Sequence, residues 1–255
     1  MKAGLCSVTF RSLEPDAIVE LAARAGLRGI EWGGDVHVPH GDLAAARRIK
    51  GLTLNAGLQV SSYGSYYHAG EDEAQGLRFE AVLRTACELG APTIRLWAGR
   101  KGSDEATAEY RECVAADLRR AATLAAAAAV GVALEWHCGS LTDTPDSSLR
   151  LLKAIDHPNA ALYWQPALDL DCSACLGSLE LALPHLANVH LYHWQAGSGG
   201  MERRPLVEGA AVWRKYLDLL RRSGKDPWIL MEFVRDDAPA RFLDDAAVLR
   251  SWLEC

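Results

Sequence analysis

The sequence predicts an α/β chain folded as a single-domain (β/α)8 TIM barrel spanning residues 1–255. Short apolar runs alternate with longer helix-periodic segments from one end to the other. Eight such units fill 255 residues, and about 250 residues is the usual size of a barrel built from eight βα units. No Pro/Ser-rich linker or change of composition divides the chain. A doubly wound open sheet shares the alternation and is the rival, but eight units in this length favour closure.

The elements follow in order. Leu5–Phe10 is the first apolar run. Pro15–Ala25 places Ile18, Leu21 and Ala22 at helical spacing, with Gly26 as its stop. Gly29–Trp32 and the helix Leu43–Lys50 form the second unit. The third is Asn55–Ser61 with a helix over 75–89 that ends at Gly90. Thr93–Trp97 precedes the alanine-rich helix Ala106–Ala129, closed by Gly131. Val132–Trp136 pairs with the helix Asp146–Ile155, and Ala160–Trp164 with Leu176–Leu183. Asn188–His193 pairs with Val212–Ser223, and Trp228–Phe233 with Ala240–Leu253. Strands covered by helices on the outside of a barrel read as continuous apolar runs of this kind.

The totals narrow the function. A formal net charge of −6 gives no electrostatic footprint for a polyanion, so no nucleic-acid partner is expected. The most apolar stretch, Ala121–Leu134, is broken by Gly131 and too short to span a bilayer, so no membrane partner is expected either. The seven cysteines (Cys6, Cys87, Cys113, Cys138, Cys172, Cys175 and Cys255) are odd in number and scattered, and the N-terminus runs directly into a strand-like segment. Reduced thiols in a cytoplasmic protein are the expectation, with the Cys172-x-x-Cys175 pair incidental.

Active sites of such barrels lie at the C-terminal ends of the strands, so the residues after each apolar run are the candidates. The fifth to eighth strands deliver Glu135, Gln165, His190 and Glu232. Singly, each would pass for a hydrogen-bonded rim residue. On four successive strands, two carboxylates, an amide oxygen and an imidazole match one divalent cation, Mn²⁺, Mg²⁺, Co²⁺ or Zn²⁺. His137 lies two residues after Glu135 and shares its side of the strand, making it a substrate-binding candidate. His193, three after His190, would face differently in a regular strand and is a further substrate-binding candidate. His68 and Arg235 are candidates for substrate hydroxyls or a phosphate, and Glu31 for a structural or substrate-binding role. Trp32, Trp97, Trp136, Trp164 and Trp194 cluster near strand ends, where aromatic faces can stack on a sugar or simply fill the mouth; Trp97 is counted with the substrate-binding set.

The segments Leu134-Glu135-Trp136-His137 with Thr142-Asp143-Thr144, Leu162-Tyr163-Trp164-Gln165-Pro166, Asn188-Val189-His190-Leu191 and Leu230-Met231-Glu232-Phe233 resemble the xylose isomerase-like superfamily. The nearest branch is that of sugar phosphate isomerases and epimerases. Gly26–Trp32 resembles the first helix and second strand of that family. The resemblance implies a metal held by glutamate, aspartate, histidine and glutamate. Glu135, His190 and Glu232 match, whereas Gln165 stands where aspartate is usual and removes one negative charge, which lowers metal affinity or shifts metal preference.

It also implies an isomerase or epimerase acting on a small carbohydrate or hydroxy-ketone. Glu135 and Glu232 would be the catalytic carboxylates, moving a proton through an enediolate. A metal-dependent lyase or dehydratase on the same barrel, and a non-catalytic sugar-binding barrel, are the alternatives. The related endonuclease chemistry needs several metals and a basic surface that this chain lacks. Barrels of this type often pair, so a homodimer stays open.

Overall fold

Each apolar run pairs in parallel with the next, and the last returns to the first. The computed structural model describes residues 1–197 and 199–254. The barrel strands are β1 (Lys2–Cys6), β2 (Gly29–Gly33), β3 (Gln59–His68), β4 (Thr93–Trp97), β5 (Gly131–Glu135), β6 (Ala160–Trp164) and β7 (Leu186–Leu191). An antiparallel hairpin, β8 (Trp194–Gly197) and β9 (Gly200–Arg203), then intervenes before the last barrel strand, β10 (Trp228–Met231). Closure is made by β1 on β10, with Lys2 opposite Trp228 and Leu5 opposite Met231.

The helices are α1 (Pro15–Arg24), α2 (Leu43–Asn55), α3 (Phe79–Leu89), α4 (Ala108–Ala127), α5 (Pro145–Ile155), α6 (Cys172–Ala182), α7 (Ala210–Ser223) and α8 (Pro239–Glu254). Their starts are set by side-chain caps. Asp42, Thr107, Thr144 and Asp171 each accept a backbone N–H from the first turn of α2, α4, α5 and α6. Among the described residues no helix is long and apolar enough to cross a membrane. Six cysteines are free thiols; Cys255, also expected to be reduced, lies outside the described residues.

Three expected boundaries are corrected. The first strand ends at Cys6, and Ser7–Phe10 is a 3-10 turn whose buried Phe10 packs edge-on against Phe242 of α8 at 5.4 Å. Its apolar residues therefore serve the helix layer, not the sheet. The third strand starts at Gln59, because α2 continues to Asn55, stitched by the Thr53 hydroxyl, which donates to the Ile49 carbonyl and accepts from Trp32 Nε1. The eighth barrel strand stops at Met231, where Phe233 turns into the left-handed region at φ 57°. The β8–β9 hairpin is absent from the sequence reading, its short polar strands carrying no apolar alternation.

The main core fills the space between barrel and helices. A second, smaller one, Ala133, Tyr163 and Leu230 with Trp228 packed against it, fills the lumen. At the N-terminal end of the lumen two glycines make room for large side chains. A Cβ on Gly4 would lie 2.6 Å from Leu230 Cδ2, and one on Gly29 2.7 Å from both the Gln59 carbonyl oxygen and Trp228. The lumen below the site is therefore solid, and polar side chains above it have a fixed floor.

That floor is testable. Gly29→Ala is expected to destabilise the barrel by roughly 1–3 kcal/mol through overpacking, read as a lower urea midpoint; an unchanged midpoint would mean Trp228 moves aside freely.

Candidate active site at the barrel mouth

Above the lumen core sits a buried charged network. Its centre is Glu31 on β2, fully buried. Arg95 Nε donates to Glu31 Oε1 at 2.9 Å, and the Cys6 thiol donates to the same oxygen at 3.3 Å. His190 Nε2 lies 3.3 Å from it. The other oxygen accepts from Ser62 at 2.8 Å and from the Tyr163 hydroxyl. These partners come from β1, β3, β4, β6 and β7. A register shift between β2 and β3 sets Ser62 opposite Glu31, a bulge beside a functional site. Gly64 is the clearance for this network, since a Cβ there would lie 2.7 Å from Arg95 Nη2 and 2.9 Å from Glu31 Oε1.

Burial opposes the charge on Glu31, yet Arg95, His190 and the Tyr163 hydroxyl outweigh it and hold the carboxyl well below the usual range. Burial, with Glu31 and Glu232 beside it, pushes the Cys6 thiol well up, so it remains a donor. Burial and Glu31 likewise push up the Tyr163 hydroxyl.

His190 joins this network to the predicted ligands. His190 Nδ1 lies 3.1 Å from Gln165 Oε1, 3.3 Å from Glu232 Oε2 and 3.7 Å from Glu135 Oε1. In the tautomer that gives the Nε2 hydrogen to Glu31, these are four electron-rich atoms facing one another. Ligands adjacent on a cation with bonds of about 2.1 Å lie roughly 3.0–3.4 Å apart, close to the spacing found here. The residues fit a divalent ion, and Glu135, His190 and Glu232 form a candidate metal triad. Cys6, Glu31 and His190 are also close enough to share an ion. The protonated thiol and the Arg95 cation on Glu31 make that second position a poor host.

The two carboxylates differ. Glu135 closes β5, its backbone carbonyl bonded by Thr142 and its Oε2 paired with Arg95. Glu232 follows β10, placed by its N–H to the Leu191 carbonyl at 2.9 Å and by Phe233 N–H to Thr9 Oγ1 at 3.1 Å. Among the described residues its Oε1 has one hydrogen-bond contact, accepting from the Cys6 thiol at 4.0 Å.

A cavity of about 230 Å³ opens over these residues, with Glu135, Gln165 and Glu232 at its base and Trp97, His137 and Trp194 in its wall. A larger one of about 700 Å³ adjoins it through Gln165 and His137. Trp97 stacks between His137 at 4.3 Å and His68 at 5.2 Å, so His68 stands behind Trp97. Burial, helped by Arg100, lowers the pKa of His68. His193 turns away into a neighbouring cavity of about 170 Å³ and contacts Gln195. Arg235 pairs with Asp236 at 3.5 Å and does not line the mouth. Trp32 and Trp164 are wholly buried under the helices, bonded to Thr53 and Ser178, so they offer no stacking platform.

Sequence reasoning missed Arg95 and Tyr163 and underweighted Glu31. The available signal was a charge in the middle of an otherwise apolar strand, in Thr93-Ile94-Arg95-Leu96-Trp97 as in Gly29-Ile30-Glu31-Trp32. Two such opposite charges in one barrel interior need each other.

Known proteins share this architecture. A 3-dehydroshikimate dehydratase from Bacillus anthracis is 29% identical over 170 residues, which are 62% of this chain and 59% of that relative. The crystal structure of the probable 3-DHS dehydratase AsbF from Bacillus anthracis superposes with a TM-score of 0.83 at 23% identity, covering 98% of this chain and 99% of that one. The 3-keto-D-glucoside 4-epimerase YcjR from E. coli superposes with a TM-score of 0.75 at 18% identity over the whole of both chains. Residues 19–252 match the sequence profile of the Xylose isomerase-like TIM barrel family, and with the closed eight-stranded barrel beneath them this chain belongs to that family.

Proposed function

We propose that the chain is a metal-dependent lyase of the dehydratase type, removing water from a small hydroxylated ketone bound at the barrel mouth. The observation that carries the metal-dependent part is the convergence of Gln165, Glu232 and Glu135 oxygens on His190 Nδ1 within 3.1–3.7 Å. The similarity to a 3-dehydroshikimate dehydratase favours the lyase over the isomerase or epimerase that the motifs imply.

Glu135, Gln165, His190 and Glu232 would hold the ion, which supplies Lewis-acid polarisation of a substrate carbonyl. Glu232 Oε1, free of strong partners, takes the proton from the carbon beside that carbonyl. The electron pair of the broken C–H bond forms a C=C bond as the neighbouring C–O bond breaks. The departing hydroxyl recovers the proton from Glu232 and leaves as water, so the carboxylate is regenerated. Glu135 is less suited to carrying a proton, because Arg95 holds its Oε2. An epimerase that inverts a carbon would need both carboxylates to exchange protons freely. Trp97 and His137 contact the substrate from the wall, with His68 bracing Trp97 from behind.

Incubation with Mn²⁺ and 3-dehydroshikimate is expected to show loss of one water by mass spectrometry and rising ultraviolet absorbance. Deuterium uptake into a ketose panel without water loss would instead return the isomerase reading. Glu232→Gln is expected to lower kcat at least 100-fold with Mn²⁺ still bound; undiminished turnover would remove Glu232 from the chemistry. Gln165→Asp is expected to tighten Mn²⁺ binding about tenfold by restoring a charge, read by calorimetry, and no change would mean Gln165 is not a ligand. Arg95→Met leaves Glu31 and Glu135 unpaired and is expected to cost about 3–5 kcal/mol, part of it recovered in the Glu31→Gln/Arg95→Met double variant; strictly additive losses would show the pair to be uncoupled.

A further inference from the structure

Lining the same cavity as Glu135, Gln165 and Glu232 is Arg11, just after the turn that follows β1. The surroundings fix its guanidinium. Nε donates to Asp35 Oδ2 at 2.9 Å, Nη1 to the Val8 carbonyl at 3.1 Å and Nη2 to the Tyr66 hydroxyl at 2.9 Å. A guanidinium has five N–H donors, so among the described residues one hydrogen on each terminal nitrogen has no partner. Donors on both terminal nitrogens are what arginine offers a carboxylate in paired bonds.

Tyr66 is itself held in an unusual backbone conformation. It lies in the left-handed region at φ 54°, where β3 breaks register between Gly64 and His68. The break is pinned by Ser65, whose hydroxyl donates to the Arg95 carbonyl at 2.7 Å and accepts from Tyr67 N–H at 3.2 Å. The conformation sets the Tyr66 ring between two cations, with the Arg95 guanidinium 5.0 Å from its centroid and the Arg11 guanidinium 5.9 Å away. A bulky residue kept at positive φ costs about 1–3 kcal/mol and persists where the surroundings impose it, often at ligand clamps.

The cavity is thus polar at two places. The candidate ligands Glu135, Gln165 and Glu232 line it, Arg11 lines it too, and Trp97, Trp194 and Phe233 add aromatic faces. We propose that Arg11, braced by Tyr66 and Asp35, is a carboxylate-binding subsite, so the substrate is a compact hydroxylated keto acid whose carboxylate points away from the metal ligands. The partial neutralisation of Arg11 by Asp35 suits one negative charge better than the two of a phosphate. The proposal rests on the metal-dependent reading of the site above and names the substrate class that site selects.

The test compares two probes that share vicinal hydroxyls and differ by one carboxylate, 3,4-dihydroxybenzoate and catechol, titrated calorimetrically into the Mn²⁺-loaded full chain. The wild type is expected to prefer the carboxylated probe about 10- to 100-fold, the range for a charge-assisted paired contact. Arg11→Gln is expected to bring that ratio close to one. Arg11→Lys, which keeps the charge but not the fork, should lower it several-fold and carries the test if the glutamine variant does not fold. A wild-type ratio near one, no binding of either probe, or a ratio unmoved by both variants would overturn the subsite. Failure to dehydrate 3-dehydroshikimate with the ratio intact would count against the lyase reading and leave the subsite standing.

Discussion

A carboxylate with no access to water organises this barrel. Glu31 cannot be solvated where it stands, so each lone pair must find a donor from the protein. Five strands supply them: Cys6 from β1, Ser62 from β3, Arg95 from β4, Tyr163 from β6 and His190 from β7. Around a closed sheet this amounts to a polar hub. Removing any spoke leaves an unpaired buried group, which is why such hubs fix side-chain positions even where they add little net stability.

The hub determines what the site above it can do. Glu31 lies against His190 Nε2 and favours the tautomer with its hydrogen there, which leaves Nδ1 facing Glu135, Gln165 and Glu232. A carboxylate behind a ligating imidazole is a recurring arrangement around metals, where it orients the ring and raises its basicity. By holding Arg95, Glu31 also places the cation that pairs with Glu135. The formal charges then divide cleanly. Arg95 is balanced by Glu31, and under the proposed function Glu135 with Glu232 would balance a dication. Glutamine at position 165, which from the sequence looks one charge short, would then leave a neutral centre, and an aspartate a surplus negative charge in a buried place.

The sequence discloses the barrel well and marks the strand ends that carry the candidate ligands, for a physical reason. Buried parallel strands must be apolar, so Glu135, His190 and Glu232 mark themselves by following apolar runs at the strand ends. What it hides depends on contacts between distant segments. Arg95 and Tyr163 sit inside strands, and only closure of the barrel reveals that they meet Glu31. The hairpin Trp194–Arg203 is too short and polar to register, and Phe10 is apolar for the sake of α8, so it counterfeits a longer first strand. His137 and His193 follow strands in the same manner, yet one faces the cavity and the other turns away, a difference made by loop geometry.

The asymmetry of the two glutamates is the feature on which the chemical reading turns. Isomerisation and dehydration begin alike, with removal of a proton beside a carbonyl, and diverge in where that proton goes. Returning it to the opposite face of the same carbon, as epimerisation does, calls for a second group able to give and take protons. Returning it to a departing hydroxyl needs only the first. Here one carboxylate is tied by its second oxygen to a buried guanidinium, and the other's second oxygen accepts, among the described residues, from a thiol 4.0 Å away. A proton placed on Glu135 would have to displace Arg95 from a site where that cation has no water to turn to, whereas a proton placed on Glu232 displaces nothing. Under the proposed function this makes Glu232 the mobile base and Glu135 a fixed ligand. The tether on Glu135 runs through Arg95 to Glu31, so the division of labour between the two glutamates is set by the same buried carboxylate that holds the barrel's interior in register.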